Sequence, residues 1–202
     1  MSGINTTNKK VALFFGSFNP IHIGHLSIAD YIIDKKITNE LWFILTPQNP
    51  FKEQKTLWDD KLRLSILKQS TEDKSVFIIN TIEFDLPKPN YTFNTLQRLS
   101  DKYKHVSFSL IIGSDNWKSF DTWRNFQTII DNYNILIYPR SGYDINNKGL
   151  PKTVQLLEAP IIDISSTQIR KMLNKGDEKA LAYLHTNVRD LVRELFLNSS
   201  PR

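Results

Sequence analysis

Apolar runs alternating with amphipathic stretches predict an α/β fold: a Rossmann-like parallel sheet with helices on both faces and a small helical part at the C-terminus. Three observations carry this expectation. Strand-like runs at Val11 to Phe15, Leu41 to Thr46, Val76 to Ile79, Phe108 to Ile112 and Ile135 to Tyr138 are spaced widely enough for a helix between them. The Phe108 and Ile135 runs are almost continuously apolar, as expected of strands buried on both faces. Helical spacing joins Leu26, Ala29, Ile32 and Ile33, then Trp58, Leu62 and Ile66, then Leu96 and Leu99, faces suited to packing on a sheet. Beyond Ser166 the same periodicity runs through Ile169, Met172 and Leu173 and through Val188, Leu191, Val192 and Leu195. Polar and Pro-containing clusters at Pro47 to Lys55, Pro87 to Asn90 and Pro139 to Pro151 read as loops, the last long enough to be mobile. None reads as a linker, so the expected organisation is one domain over residues 1–202.

Composition narrows the function classes. No apolar run is long enough to span a bilayer and the polar N-terminus lacks a signal-peptide stretch, so a cytoplasmic protein with no membrane partner is expected. The absence of cysteine excludes disulfides, thiolate zinc sites and cysteine nucleophiles. Twenty-six basic against twenty-one acidic side chains, a formal +5, favour anionic partners. The basic residues are scattered, however, and the densest clusters are the pairs Lys9-Lys10 and Lys35-Lys36, which argues against a nucleic-acid partner. A homo-oligomer stays open.

The chemistry concentrates directly after the first run, in Gly16-Ser17-Phe18-Asn19-Pro20-Ile21-His22-Ile23-Gly24-His25. A strand, a tight loop and a helix meet there, and helix N-terminal amides at the carboxyl end of a parallel strand attract phosphate. Gly16 would let backbone approach a ligand, Pro20 stiffen the loop, and Gly24 admit the turn into the helix. His22 and His25, three apart, can point into one cleft and donate to phosphate oxygens, whereas His105 and His185 read as structural. Far downstream, Ser165 or Ser166 suits a helix N-cap, and Ser166 and Thr167 lie one turn before Arg170, whose guanidinium can grip phosphate oxygens. Gly113 and Asp115 close the Phe108 run, placed either to contact ribose or adenine or simply to cap a helix.

These residues resemble the nucleotidylyltransferase superfamily, whose G-x-F-x-P-x-H-x-G-H loop and I-S-S-T-x-I-R element are matched at Gly16 to His25 and at Ile164 to Arg170. Within it, Gly113-Ser114-Asp115, Pro89-Asn90-Tyr91-Thr92 and Trp123 resemble the bacterial nicotinate-nucleotide adenylyltransferases over nearly the whole span from Val11 to Arg170. The resemblance implies that Thr92 reads the nicotinate carboxylate through backbone amides, Trp123 stacks on the nicotinate ring, and Lys52 and Arg140 serve phosphate or substrate. Tyr91 and Trp117 could equally be packing residues. Phe15, where many members have a second glycine, and Asn19, where aspartate is common, depart from the pattern and put substrate affinity in question.

The expected function is adenylyl transfer from ATP to nicotinate mononucleotide, with His22, His25 and Arg170 as catalytic residues. Substrate binding falls to Gly16, Ser17, Phe18, Lys52, Thr92, Gly113, Asp115, Trp123, Arg140, Ser166 and Thr167. Mg²⁺ is expected to be held through the substrate phosphates, with no protein metal ligand. The competing readings are the same chemistry on nicotinamide mononucleotide or phosphopantetheine, CTP as donor, or a nucleotide-binding sensor without turnover.

Overall fold

Alternation along the first strand decides the architecture. Val11 and Leu13 enter one apolar cluster and Ala12 and Phe14 another, and all four are essentially shielded from solvent. The computed structural model describes residues 8–48 and 57–197. Its strands are β1 (Lys9–Gly16), β2 (Glu40–Leu45), β3 (Phe77–Asn80), β4 (Val106–Gly113), β5 (Asn134–Tyr138) and β6 (Val154–Leu156), all parallel, in the spatial order β3-β2-β1-β4-β5-β6. Its helices are α1 (Ile23–Asp34), α2 (Asp60–Gln69), α3 (Thr92–Lys102), α4 (Ser114–Trp117), α5 (Phe126–Asn132), α6 (Ser166–Asn174) and α7 (Arg189–Phe196).

Both faces of the sheet are covered, as the apolar strands require. Apolar side chains of α1, α2, α6 and α7 join Ala12, Phe14, Leu41 and Phe43 on one face. Those of α3 and α5 join Val11, Leu13, Ile44 and Leu110 on the other. The chain winds outward from β1 in one direction through β2 and β3, then returns to β4 on the other side. The strand order therefore reverses between β1 and β4, and a crevice opens at their carboxyl ends.

Two elements escape the periodicity. β6 spans three residues, too short for alternation to register, and α5 begins after Asn125 in the left-handed region (φ 54°) with no side-chain cap. Trp58 precedes α2 rather than lying on it, because Asp59 caps the helix by accepting from Lys61 N–H at 2.9 Å and Leu62 N–H at 3.3 Å. No described helix is long and apolar enough to cross a membrane.

Arg63 couples this frame to the crevice. Its side chain is fully buried and donates to the carbonyls of Ser17, Thr46 (3.1 Å) and Trp58 (3.2 Å), with Asp60 as ion-pair partner. The Ser17 and Thr46 carbonyls lie just beyond the ends of β1 and β2, and that of Trp58 just before α2. We expect Arg63→Met, which orphans them, to lower the urea-derived unfolding free energy by roughly 3 kcal/mol or more, with Arg63→Lys recovering only part. A loss below about 1 kcal/mol would show that these bonds are dispensable.

Candidate active site

The loop after β1 is held by its own side chains. Phe18 adopts a left-handed backbone (φ 40°), costly for an aromatic residue by roughly 1–3 kcal/mol. Its ring is 2% exposed and meets the rings of Phe14, Phe43 and His25 edge-on at 5.8, 5.5 and 5.3 Å, burial that offsets the strain. The ring folds back over Gly16, where a Cβ would lie 2.9 Å from it, and Gly24 likewise leaves room for the His22 imidazole, 3.0 Å from a Cβ there. Both glycines thus make room for the loop's own side chains.

His22 caps α1, its Nδ1 accepting from Gly24 N–H at 3.2 Å. His25 Nδ1 accepts, at a longer 3.4 Å, from His22 N–H. With both Nδ1 atoms used as acceptors, the neutral imidazoles carry their protons on Nε2, a pair of donors set by the backbone. The rings lie 3.8 Å apart. Both line a small pocket on the far side of the α1 start, but only His25 also lines the main cleft, and His22 is 3% exposed. Burial, reinforced by the Arg140 charge, lowers the His22 pKa from 6.5 to about 3.

From the other end of the chain α6 closes on this loop. Ser165 caps it, its Oγ accepting from Gln168 N–H at 3.2 Å. That leaves Ser166 Oγ to donate to the Pro20 carbonyl at 2.9 Å, while Arg170 Nη1 donates to the Asn19 carbonyl at 2.8 Å and Nη2 approaches Thr167 Oγ1 at 3.4 Å. Asn19 is 2% exposed and its Oδ1 accepts from Trp58 N–H at 3.0 Å. Its side chain is therefore a brace, an acceptor role that aspartate would also fill.

A cleft of about 520 Å³ opens here, within the range of small-molecule sites. Gly16, Ser17, Phe18, His25, Thr92, Gly113, Asp115, Trp123, Arg140 and Ser166 line it together, although the sequence spreads them over 151 positions (16 to 166). Phe15 is on its wall as well. Thr167 and Arg170 sit beside it on α6, and Lys52 lies outside the described residues. Trp123 packs against Phe120 with ring centroids 5.0 Å apart and reaches the cleft, while Trp117 stacks on the same ring without lining it. His185 caps a short turn by accepting from Asn187 N–H, in keeping with a structural role, and His105 is exposed.

Across the cleft, Arg140 Nη2 donates to the Tyr138 hydroxyl at 3.1 Å, and Arg140 Nε faces Asp115 Oδ1 at 3.9 Å with neither atom hydrogen-bonded. Burial opposes the Arg140 charge, but Tyr138, Asp115 and Asp163 outweigh it and raise its pKa. Sequence reasoning missed several groups at this site. Arg63 of α2, Thr46, Glu83 and Arg124 belong to no recognisable motif. Among the described residues no group of three or more His, Asp and Glu is placed to hold a metal ion. The arrangement gathers neutral donors, helix N-terminal amides and guanidinium groups, a set suited to phosphate.

Comparison with known proteins agrees. The cytidylyltransferase-like family matches residues 13–172. The chain is similar to a Bacteroides thetaiotaomicron protein named "Probable nicotinate-nucleotide adenylyltransferase", 44% identical over 191 residues and 94% of each chain. It is similar to a Flavobacterium johnsoniae protein of the same name, 42% identical over 83% of this chain and 88% of that one. Among solved structures it resembles Plasmodium falciparum nicotinic acid mononucleotide adenylyltransferase complexed with NaAD, with a TM-score of 0.77 at 20% identity, covering 92% of this chain and 95% of that one, a likeness of fold.

The buried imidazole has a thermodynamic signature. As pH falls below 6.5 the unfolded chain binds a proton at residue 22 before the folded chain does, which titrates it only near 3. The stability held by neutral His22 is therefore complete above about pH 6.5 and lost towards pH 3, at about 1.4 kcal/mol per unit and on the order of 5 kcal/mol in all. His22→Asn should flatten this part of the stability-pH curve, and the His22 ring resonances should stay those of a neutral imidazole at pH 5. A ring that titrates near 6.5 would contradict the buried, neutral assignment.

Proposed function

This chain belongs to the cytidylyltransferase-like family and, within it, to the nicotinate-nucleotide adenylyltransferases, and from that premise we propose how its cleft performs the reaction. The protein is a nucleotidyltransferase of NAD biosynthesis: it joins nicotinate mononucleotide to the AMP part of ATP, giving nicotinate adenine dinucleotide and pyrophosphate. The observation that carries the mechanism is the pinning of α6 to the β1–α1 loop, which brings His25, Ser166 and Arg170 to the carboxyl ends of β1 and β4.

A phosphate oxygen of nicotinate mononucleotide attacks the α-phosphorus of ATP in line; that P–O bond forms as the bond to the β-phosphate oxygen breaks. The acceptor is already an anion, so no general base is needed, and a His22 that stays neutral is poorly suited to be one. His25 donates Nε2–H to the transferred phosphoryl group, and His22 behind it fixes that ring and its tautomer. Arg170, with Ser166 and Thr167, holds the β- and γ-phosphates; Arg170 already donates to a backbone oxygen at this spot and exchanges or shares that acceptor when ATP binds. The Gly16 to Phe18 backbone lies along the phosphates, Gly113 and Asp115 address the adenosine, and Arg140 balances Asp115 and the phosphate charge. At the other end of the cleft Thr92 and Trp123 receive the nicotinate group.

Mg²⁺ would enter as part of the ATP substrate, held by phosphate oxygens and water. Bound in that way it offsets triphosphate charge.

The test is pyrophosphate release from ATP and Mg²⁺ with either nicotinate or nicotinamide mononucleotide. We expect a strong preference for the nicotinate form, and His25→Ala should lower kcat about 10²- to 10³-fold with little change in the KM for ATP. Near-normal turnover by His25→Ala would overturn the assignment of roles, and no release with either acceptor would overturn the reaction.

A further inference from the structure

Arg124 and Tyr91 meet on the cleft wall beside Thr92 and Trp123, and each is delivered by a pinned stretch of backbone. Before α3, Asn90 is buried, its Nδ2 donating to the Glu83 carbonyl at 2.9 Å and its N–H to the Gln48 carbonyl at 3.0 Å. Tyr91 follows, its carbonyl accepting from Asn94 N–H at 3.0 Å and from Thr95 N–H at 3.3 Å. Before α5, Trp123 N–H donates to the Phe120 carbonyl at 3.0 Å and the Trp123 carbonyl accepts from Phe126 N–H at 3.1 Å, which holds Arg124 in a closed turn.

The Arg124 guanidinium lies over the Tyr91 ring, 5.1 Å from its centroid, and among the described residues it forms no hydrogen bond and no ion pair. A ring face orients a guanidinium but leaves its charge and its five N–H donors unspent. The other arginine on the cleft wall, Arg140, has the Tyr138 hydroxyl and Asp115 as neighbours. The carboxyls on the wall are engaged elsewhere, Asp115 with Arg140 and Glu83 with the Thr95 and Thr46 hydroxyls. Among the described residues, then, nothing offsets the exposed Arg124 charge that the cleft receives.

A pyridine ring seated on Trp123 brings its substituent to the neighbourhood of the residue that follows. We propose that Arg124 determines acceptor specificity, its guanidinium, steadied by the Tyr91 ring, pairing with the carboxylate of nicotinate mononucleotide. The inference rests on the reaction proposed above. A carboxylate offers two oxygens and a full negative charge, so it accepts two parallel hydrogen bonds from the planar fork of an arginine. A carboxamide is neutral and offers one oxygen, and its NH₂ group would face the N–H donors of the guanidinium. The same side chain therefore favours the acid and disfavours the amide. The phosphate, common to both acceptors, supplies no such discrimination.

Steady-state kinetics of wild type, Arg124→Ala, Arg124→Lys and Arg124→Glu with ATP and each acceptor test this, with thermal melts confirming that the variants fold. Arg124→Ala should raise the KM for nicotinate mononucleotide about tenfold, leave the KM for ATP and kcat within about twofold, and cut the preference over nicotinamide mononucleotide about tenfold. Arg124→Lys keeps the charge but not the planar fork, so its selectivity should fall between those of wild type and Arg124→Ala. Arg124→Glu should weaken use of the nicotinate form further while sparing the amide, whose NH₂ group can donate to the introduced carboxylate. A wild type selective for the nicotinate form whose selectivity survives Arg124→Ala overturns the proposal alone. So does a loss shared equally by both acceptors, which would put Arg124 on their common phosphate, or a loss confined to ATP. A wild type that uses both acceptors alike, or neither, overturns the reaction reading and this proposal with it.

Discussion

Backbone carbonyls of one short loop are gripped from opposite sides, and the site exists because of that grip. Arg63 of α2 takes Ser17 O from within the core, while Arg170 and Ser166 of α6 take Asn19 O and Pro20 O. A loop at the open end of a parallel sheet has no strand partner for these carbonyls, and leaving them buried and unpaired would cost about 1–3 kcal/mol each. Satisfying them with side chains from α2 and α6 solves the stability problem and sets the geometry at once. Phe18 seats its ring among Phe14, Phe43 and His25, and the start of α1 is aimed at the crevice between β1 and β4.

Charge is distributed across the cleft with some economy. The histidine pair next to the loop is fixed by backbone N–H donors, and burial keeps His22 neutral, so proton donation there involves no mobile charge. Permanent cations stand beside them, at Arg140 and Arg170. Glu83, a buried carboxyl held by Thr95, lies on the cleft wall beside the uncapped start of α3. His22 is tuned mainly by burial and Arg140 mainly by its neighbours Tyr138 and Asp115, so both depend on the packing of the sheet ends beneath them.

Much of this was legible in the amino-acid sequence, for identifiable reasons. Strands buried on both faces make long apolar runs, so β1, β2, β4 and β5 were predicted with boundaries close to those observed, whereas the three residues of β6 carry no period. The motif at Gly16 to His25 and the stretch at Ser165 to Arg170 were both expected to address one anion, and the cleft does bring them together. What the sequence could not disclose is depth. His22 and His25 look equivalent by spacing, yet one lines the cleft and the other lies behind it. Arg63 and Glu83 carry ordinary surface-type side chains, and only the folded chain shows them buried. Asn19 likewise proves buried, its side chain accepting from Trp58 N–H.

The central claim is that the cleft positions two phosphates for direct transfer, with donors and cations but no protein nucleophile. ATP made chiral with sulfur at its α-phosphorus tests this most directly, through the configuration of the dinucleotide product. A single in-line displacement predicts clean inversion at phosphorus. Retention would mean two displacements through an adenylylated side chain, and would contradict the account.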